Sequence, residues 1–205
     1  MKLCLSLFAL VILITQLGCD EKNTTTVPDL KESELPDHVY INVVQIPQND
    51  NYSCATTSVA MAISHFEGLD STPLDQDSIW VLSGADSTMI RTQGNDMNAL
   101  ERITKHYGYQ SKYTENLTDY DLELFLSKGI LVVINFRPNV SGNNTHAVLV
   151  IGYDRSLKTF YVNDPAKKTP GTLFSYSDLE QRWTAWLSSP RVLSNHSGFI
   201  IYPKG

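Results

Sequence analysis

Hydrophobic positions change their spacing along this chain, and each spacing predicts a different element. Residues 3–18, LCLSLFALVILITQLG, are apolar almost without interruption. A polar stretch follows, DEKNTTTVPDLKESELPDH, with two prolines and no period, which reads as a flexible tether. VYINVVQIP, residues 39–47, is β-branched and predicts an entering strand or extended arm. From Cys54 to Phe66 the spacing is helical: Ala55, Ser58, Val59, Ala62, Ile63 and Phe66 lie on one face, and Gly68 closes the run. Thr72-Pro73 signals a second helix toward Leu82, with Thr as cap and Pro at the first helical position. MNALERITKHY predicts a third, stopped by Gly108, and Thr118-x-x-Asp121 opens a fourth, stopped by Gly129.

Beyond Gly129 the texture becomes that of strands. ILVVINF, AVLVIGYD, TFYVND and GFIIYP are rich in β-branched and aromatic residues, with polar turns between them. One helix interrupts them: Ser177-x-x-Glu180 reads as a capping box before LEQRWTAWL. A helical first half followed by a stranded second half predicts an α+β chain of one domain, with helices on one side of an antiparallel sheet. The polar stretches Gly84 to Asn95 and Pro138 to Asn144 are expected to wall a cleft.

The amino terminus carries an address rather than a fold. Met1-Lys2 is a short charged region, the apolar run is too short to span a bilayer comfortably, and Gly18 precedes the break. TQLGC resembles a bacterial lipobox, with Gln16 where a leucine is usual. The expectation is therefore a signal peptide over 1–18, a lipidated Cys19 with a tether over 19–38, and a domain over 39–205. The alternative is an ordinary secretory signal and release from the cell. As a coil of about 20 residues the tether would span ~25 Å. Net charge is mildly acidic, formally −6. No basic patch suggests nucleic acid as a partner. No His-Glu-x-x-His, paired-Cys or Gly-rich phosphate motif occurs, so no metal or other cofactor is expected. The sequons at Asn51 and Asn116 read as chance in an Asn/Thr-rich chain.

The chain has three cysteines. Cys4 lies in the apolar leader and Cys19 at the anchor, so Cys54 alone reaches the domain and cannot form an intrachain disulfide there. A free thiol has a pKa of about 8.5, and a helix N-terminus with a nearby imidazolium can lower it to ~3.5–7.5. The plain alternative for Cys54 is a small buried apolar residue. Of five histidines, His65 sits on the same helix roughly 16 Å away, which is too far. His38, in the tether region, and His196, in a polar loop, read as solvated. His106 ends a helix without a polar partner in sequence. His146 opens an apolar strand after a flexible loop, where an imidazole can project into a cleft. Asp164, before Pro165, could hold that imidazole in the right tautomer; Asn163 is its rival. Gln48, six residues before the thiol, can donate to a developing oxyanion together with the Cys54 backbone N–H, or be a surface turn residue.

Taken together these positions resemble a papain-like fold. They are most similar to the bacteriocin-processing, or double-glycine leader, peptidases. The resemblance runs over roughly residues 40 to 203 and rests on QNDNYSC before an apolar helix, HAVLVIGYD and FYVNDPA. The stretches GNDMNALERITKHYGYQ and LFLSKGILVVI also look like that family's middle section. It implies Cys54 as nucleophile, His146 as general base and acid, Asp164 as orienter and Gln48 as oxyanion donor, acting on a peptide or protein substrate. The chain departs from the family's pattern at Ala55, where glycine usually follows the nucleophile and where a methyl could crowd the acyl site. It also encodes no membrane exporter. Two other readings keep the fold: an inactive peptide-binding or inhibitory envelope module, and a thiol enzyme of cell-wall amides or acyl transfer.

Overall fold

The computed structural model describes residues 31–84, 97–139, 141, 144–186 and 193–205. The signal peptide, Cys4, Cys19, the tether up to residue 30, and most of the two expected cleft walls lie outside these residues. The fold is the expected α+β arrangement with an antiparallel sheet. Its elements are β1 (His38–Tyr40), α1 (Cys54–Phe66), α2 (Gln76–Ser83), α3 (Met97–His106), β2 (Ser111–Thr114), α4 (Asp119–Ser127), β3 (Leu131–Phe136), β4 (His146–Asp154), β5 (Thr159–Asn163), β6 (Thr172–Ser175), α5 (Tyr176–Arg182), β7 (Thr184–Trp186), β8 (Leu193–Asn195) and β9 (Gly198–Ile201). The main sheet runs β2-β9-β3-β4-β5-β6, with β1 also paired to β4; β7 and β8 form a separate ribbon.

The centre of this sheet is apolar on both faces. Every residue of β3 is buried, as is β4 from Ala147 to Tyr153. The unalternating runs LVVINF and AVLVIGY have this meaning: a strand dry on both sides has no polar face to show. Cover on both sides replaces the one-sided packing expected from sequence. α1 is likewise buried all round from Ala55 to Ser64 rather than along one stripe. Val59, Met61 and Ile63 lose all contact with water, about 1.5–3 kcal/mol each. Its small residues let it press against β4 closely enough for the Ser58 hydroxyl to reach the Ala147 carbonyl at 3.5 Å. Gly152 admits a second close approach, because a Cβ there would stand 2.3 Å from the Val39 carbonyl oxygen of β1.

Several boundaries differ from expectation. β1 is only three residues long, and 41–47 continues as the extended arm. α2 starts after Asp75, not Thr72. The Ser64 hydroxyl takes the Leu74 N–H, and the Asp75 carboxylate accepts the Ser78 N–H at 2.9 Å, a stronger cap than Thr72 could supply. α5 is capped by Ser175, which accepts from the Asp178 N–H, so the Ser177 capping box does not form. This helix stops at Arg182 because Trp183 is drawn into the core, where its indole N–H donates to the Ser197 carbonyl. Thr184–Trp186, read as helix, pairs with β8 instead.

Part of the polar stretch read as tether also packs on the domain. Leu35 is buried, the Tyr153 hydroxyl donates to the Pro36 carbonyl, and Arg155 bonds the backbone and carboxylate of Glu32. His196, expected in solvent, instead lies flat on Trp183 with ring centroids 4.9 Å apart.

Candidate active site

Cys54 is the first residue of α1, at the end where backbone N–H groups point outward and the helix dipole is positive. The turn before it is held by Asp50, whose Oδ1 accepts from the Tyr52 and Ser53 N–H groups at 2.6 and 2.8 Å. The helix then sends two neighbouring faces in two directions. Ser58, one turn below the thiol, touches β4, while the Thr57 hydroxyl donates to Gln76 of α2 at 3.1 Å. The thiol therefore stands at a seam between the sheet and the helical side, half-buried and unpaired with any cysteine.

His146 opens β4 beside it. Its Nε2 lies 2.6 Å from Asp164 Oδ1, which also accepts the Ala166 N–H at 2.9 Å. That bond leaves Nδ1 for the thiol. Burial by itself would lower the imidazole's pKa. The hydrogen bond that the ring donates to Asp164, together with the hydrogen bond and charge of the Cys54 side chain and the charge of Asp164, outweighs it and pushes the pKa up to about 9. Burial works to raise the Asp164 carboxyl, but the His146 hydrogen bond and charge and the Ala166 N–H hold it below its ordinary value. The arrangement sets an imidazole beside a thiol, with the ring's orientation held by a carboxylate, a set of groups that can serve thiol-based nucleophilic chemistry.

Asn163, the rival orienter, points elsewhere. Fully buried, it donates to the Val43 carbonyl at 2.9 Å and accepts the Gly171 N–H at 3.1 Å. It pins the arm 41–47 to the sheet. Gln48 sits at the end of that arm, where its backbone N–H donates to the Pro165 carbonyl at 2.8 Å. Its side-chain amide donates to the Asp50 carbonyl and has a second N–H to offer, while its own Oε1 is buried without a partner. Ala55 is buried in the core cluster, so its methyl packs inward.

A family model, the Peptidase_C39 like family, matches residues 40–189, 150 of the 205 in the chain. The chain belongs to that family. As a Peptidase_C39 like protein it is a cysteine peptidase, a hydrolase. No match was found among curated proteins. Among solved structures, a C39-like peptidase from Bacillus anthracis superposes with a TM-score of 0.59 at 17% identity, over 82% of this chain and 98% of that one. A double-glycine motif protease from an AMS/PCAT transporter, solved with its leader peptide, gives 0.57 at 17%, over 81% and 95%. The peptidase domain of Streptococcus ComA, a bifunctional ABC transporter of a quorum-sensing pathway, gives 0.52 at 14%, over 78% and 98%. At these identities the likeness is one of fold.

Three residues of this Peptidase_C39 like site carried no signal in the sequence. Gln45 donates to the carbonyls of Asp164 and Lys167 at 2.8 and 2.9 Å, holding the loop that presents the carboxylate. Gln76 donates to the carbonyls of Pro47 and the Asn49 side chain and accepts the Asn49 N–H and the Thr57 hydroxyl. One amide thus ties the Gln48 loop to both helices. Phe136, which faces His146 across the β3–β4 register, sets its ring edge-on to the imidazole at 5.7 Å. A register could have suggested Phe136; the two glutamines needed the folded loops.

Proposed function

We propose that this chain is an exported thiol peptidase that cleaves peptide bonds through Cys54, His146 and Asp164, with Gln48 as oxyanion donor. The observation that carries the reading is His146 standing between the thiol and Asp164, with Nε2 committed to the carboxylate at 2.6 Å. The thiolate adds to the peptide carbonyl carbon, and the carbonyl oxygen takes the negative charge. The Gln48 amide and the Cys54 backbone N–H stabilise that oxyanion. His146 gives its Nδ1 proton to the amine as the C–N bond breaks, leaving a thioester on Cys54. The neutral imidazole then takes a proton from water, whose oxygen attacks the thioester and frees the acid.

The family supports a peptide or protein substrate. The relative solved in complex with a leader peptide supports a peptide as the class of substrate, and we carry that class to this chain. Export rests on the leader sequence, with Cys19 as a lipid attachment point that would hold the domain at a bacterial envelope membrane.

Iodoacetamide tests the nucleophile directly. Cys54 should alkylate faster than free cysteine near pH 6, and the Cys54→Ala protein should hydrolyse no peptide of a library that the wild type cuts. Labelling no faster than a model thiol removes the activated nucleophile. Loss of membrane association in Cys19→Ser tests the anchor; unchanged association refutes it.

A further inference from the structure

A cleft opens beside the turn that leads into Cys54, on the helical side. Its volume is about 370 Å³, and it is lined by Asn49, Asp50, Tyr52, Ser53, Gln76, Asp77 and Trp80. That volume falls in the range of small-molecule and side-chain pockets, ~300–1,000 Å³. Its chemistry is one-signed: two carboxylates, two aromatic rings and no cation among the described lining residues. Asp77 stands on the first turn of α2, and Tyr52 is partly exposed. Ser53 is 5% exposed and its hydroxyl oxygen has no hydrogen-bond partner, although it forms part of the wall. A buried hydroxyl left unsatisfied costs free energy that an incoming N–H donor would recover.

We infer that this cleft binds the cationic side chain, Arg or Lys, of a substrate residue adjoining the scissile peptide bond. Carboxylates at the rim attract the charge, the Trp80 and Tyr52 rings can lie against a guanidinium or ammonium group, and Ser53 can accept an N–H. An acidic side chain would be repelled, and an aliphatic one would leave the hydroxyl unpaired. The location is argued from the chain: Ser53 immediately precedes Cys54, so a group held against it is taken to belong to a residue close to the reacting carbonyl. This inference rests on the peptidase reading for its location, while its test does not depend on turnover.

The test uses the Cys54→Ala protein and two fluorescein-labelled decapeptides of alanine and glycine, one carrying a central Arg, the other citrulline in its place. Anisotropy should show the Arg peptide binding about tenfold more tightly, the combined effect of a cation–π contact and partly exposed ion pairs. Adding Asp77→Asn should cut that ratio by roughly threefold, and Asp77→Lys should bring it to one or below. Asp77 is exposed and is not the cap of α2, so Asp77→Asn leaves the fold in place, and circular dichroism checks that Asp77→Lys, which sets a cation on the first turn, is folded. A ratio within twofold of one overturns the inference, as does a larger ratio that survives both substitutions. Cleavage of a proteome-derived peptide library by the wild type is scored separately. Cuts flanked by Arg or Lys support the subsite, and cuts without that preference count against it. Failure to cut any peptide, with the tenfold binding ratio intact, removes the peptidase reading and leaves the cationic site standing.

Discussion

On the sheet side of Cys54, His146 opens β4 and Asp164 directly follows β5, and the two strands are paired through Leu149 and Asn163 and buried in the core. On the helical side, the Gln48 loop and the first turn of α2 are held largely by the Gln76 amide and by Asp50, among exposed polar residues. The His146–Asp164 pair is thus fixed by a ladder of many bonds, and the neighbouring cleft by a few side chains. Changes on the sheet side should therefore move stability and chemistry together. Changes on the helical side should move chemistry or specificity and leave stability nearly alone.

Asp164→Ala gives the largest effect. It removes the orienting carboxylate and the main support of the raised His146 pKa. kcat/KM should fall by about 10²–10⁴, the usual worth of positioned acid–base catalysis. Asn163→Ala provides the contrast one residue away. It leaves the Val43 carbonyl and the Gly171 N–H without partners, so it should destabilise the fold by ~1–3 kcal/mol. Its effect on kcat, measured well below the melting temperature, should be far smaller. Equal losses of kcat in the two variants would break the distinction between orienting and structural roles.

The pH dependence of stability sharpens the same side. His146 titrates at about 9 in the folded protein and near 6.5 when unfolded. The folded state therefore holds a proton that the unfolded state has lost across that window. Its contribution to stability is full below the lower value and disappears as pH rises through about 9. Urea titrations should therefore show the wild type losing stability relative to His146→Ala as pH rises through about 9. Asp119, which burial and then the charges of Glu180 and Glu123 raise to about 6, titrates below this interval. In Asp164→Ala the decline should flatten; an undiminished slope would assign it to other groups.

Much of this arrangement was legible from the residues. The chemistry-bearing side chains stand at element boundaries that the pattern marks sharply: a small-residue helix at Cys54, an apolar strand at His146, an Asp-Pro at Asp164. What escaped depends on contacts between segments far apart in sequence. Thr172–Ser175 and Ser111–Thr114 are short edge strands whose burial patterns do not alternate. Thr184–Trp186 carries a helical spacing that the burial of Trp183 overrides. Gln45 and Gln76 read as ordinary polar residues because their partners are backbone groups and side chains of other loops, which only the fold brings near. Asn163 and Asp164 could not be ranked by spacing, since adjacent residues at a strand end point to opposite sides.

Gln76→Ala is the smallest of these effects and the most discriminating for the helical side. The substitution deletes the donor to the Pro47 carbonyl and the acceptor for the Asn49 N–H, groups near enough to solvent for water to replace. Stability should therefore change by less than about 1 kcal/mol, within the range of an exposed hydrogen bond. The loop that ends in Gln48 would lose its tie to α1 and α2, and a misplaced donor weakens transition-state binding without removing it. We expect kcat to fall by roughly tenfold, less than the ~10² that a displacement of about 1 Å can cost, with KM for a neutral peptide little changed. Gln76→Glu keeps the acceptor for Asn49 and Thr57 but sets an oxygen against the Pro47 carbonyl, and should lie as low as Gln76→Ala or lower. If instead both variants melt several degrees early and lose kcat in proportion, Gln76 is part of the packed frame, and the two walls are not held by different means.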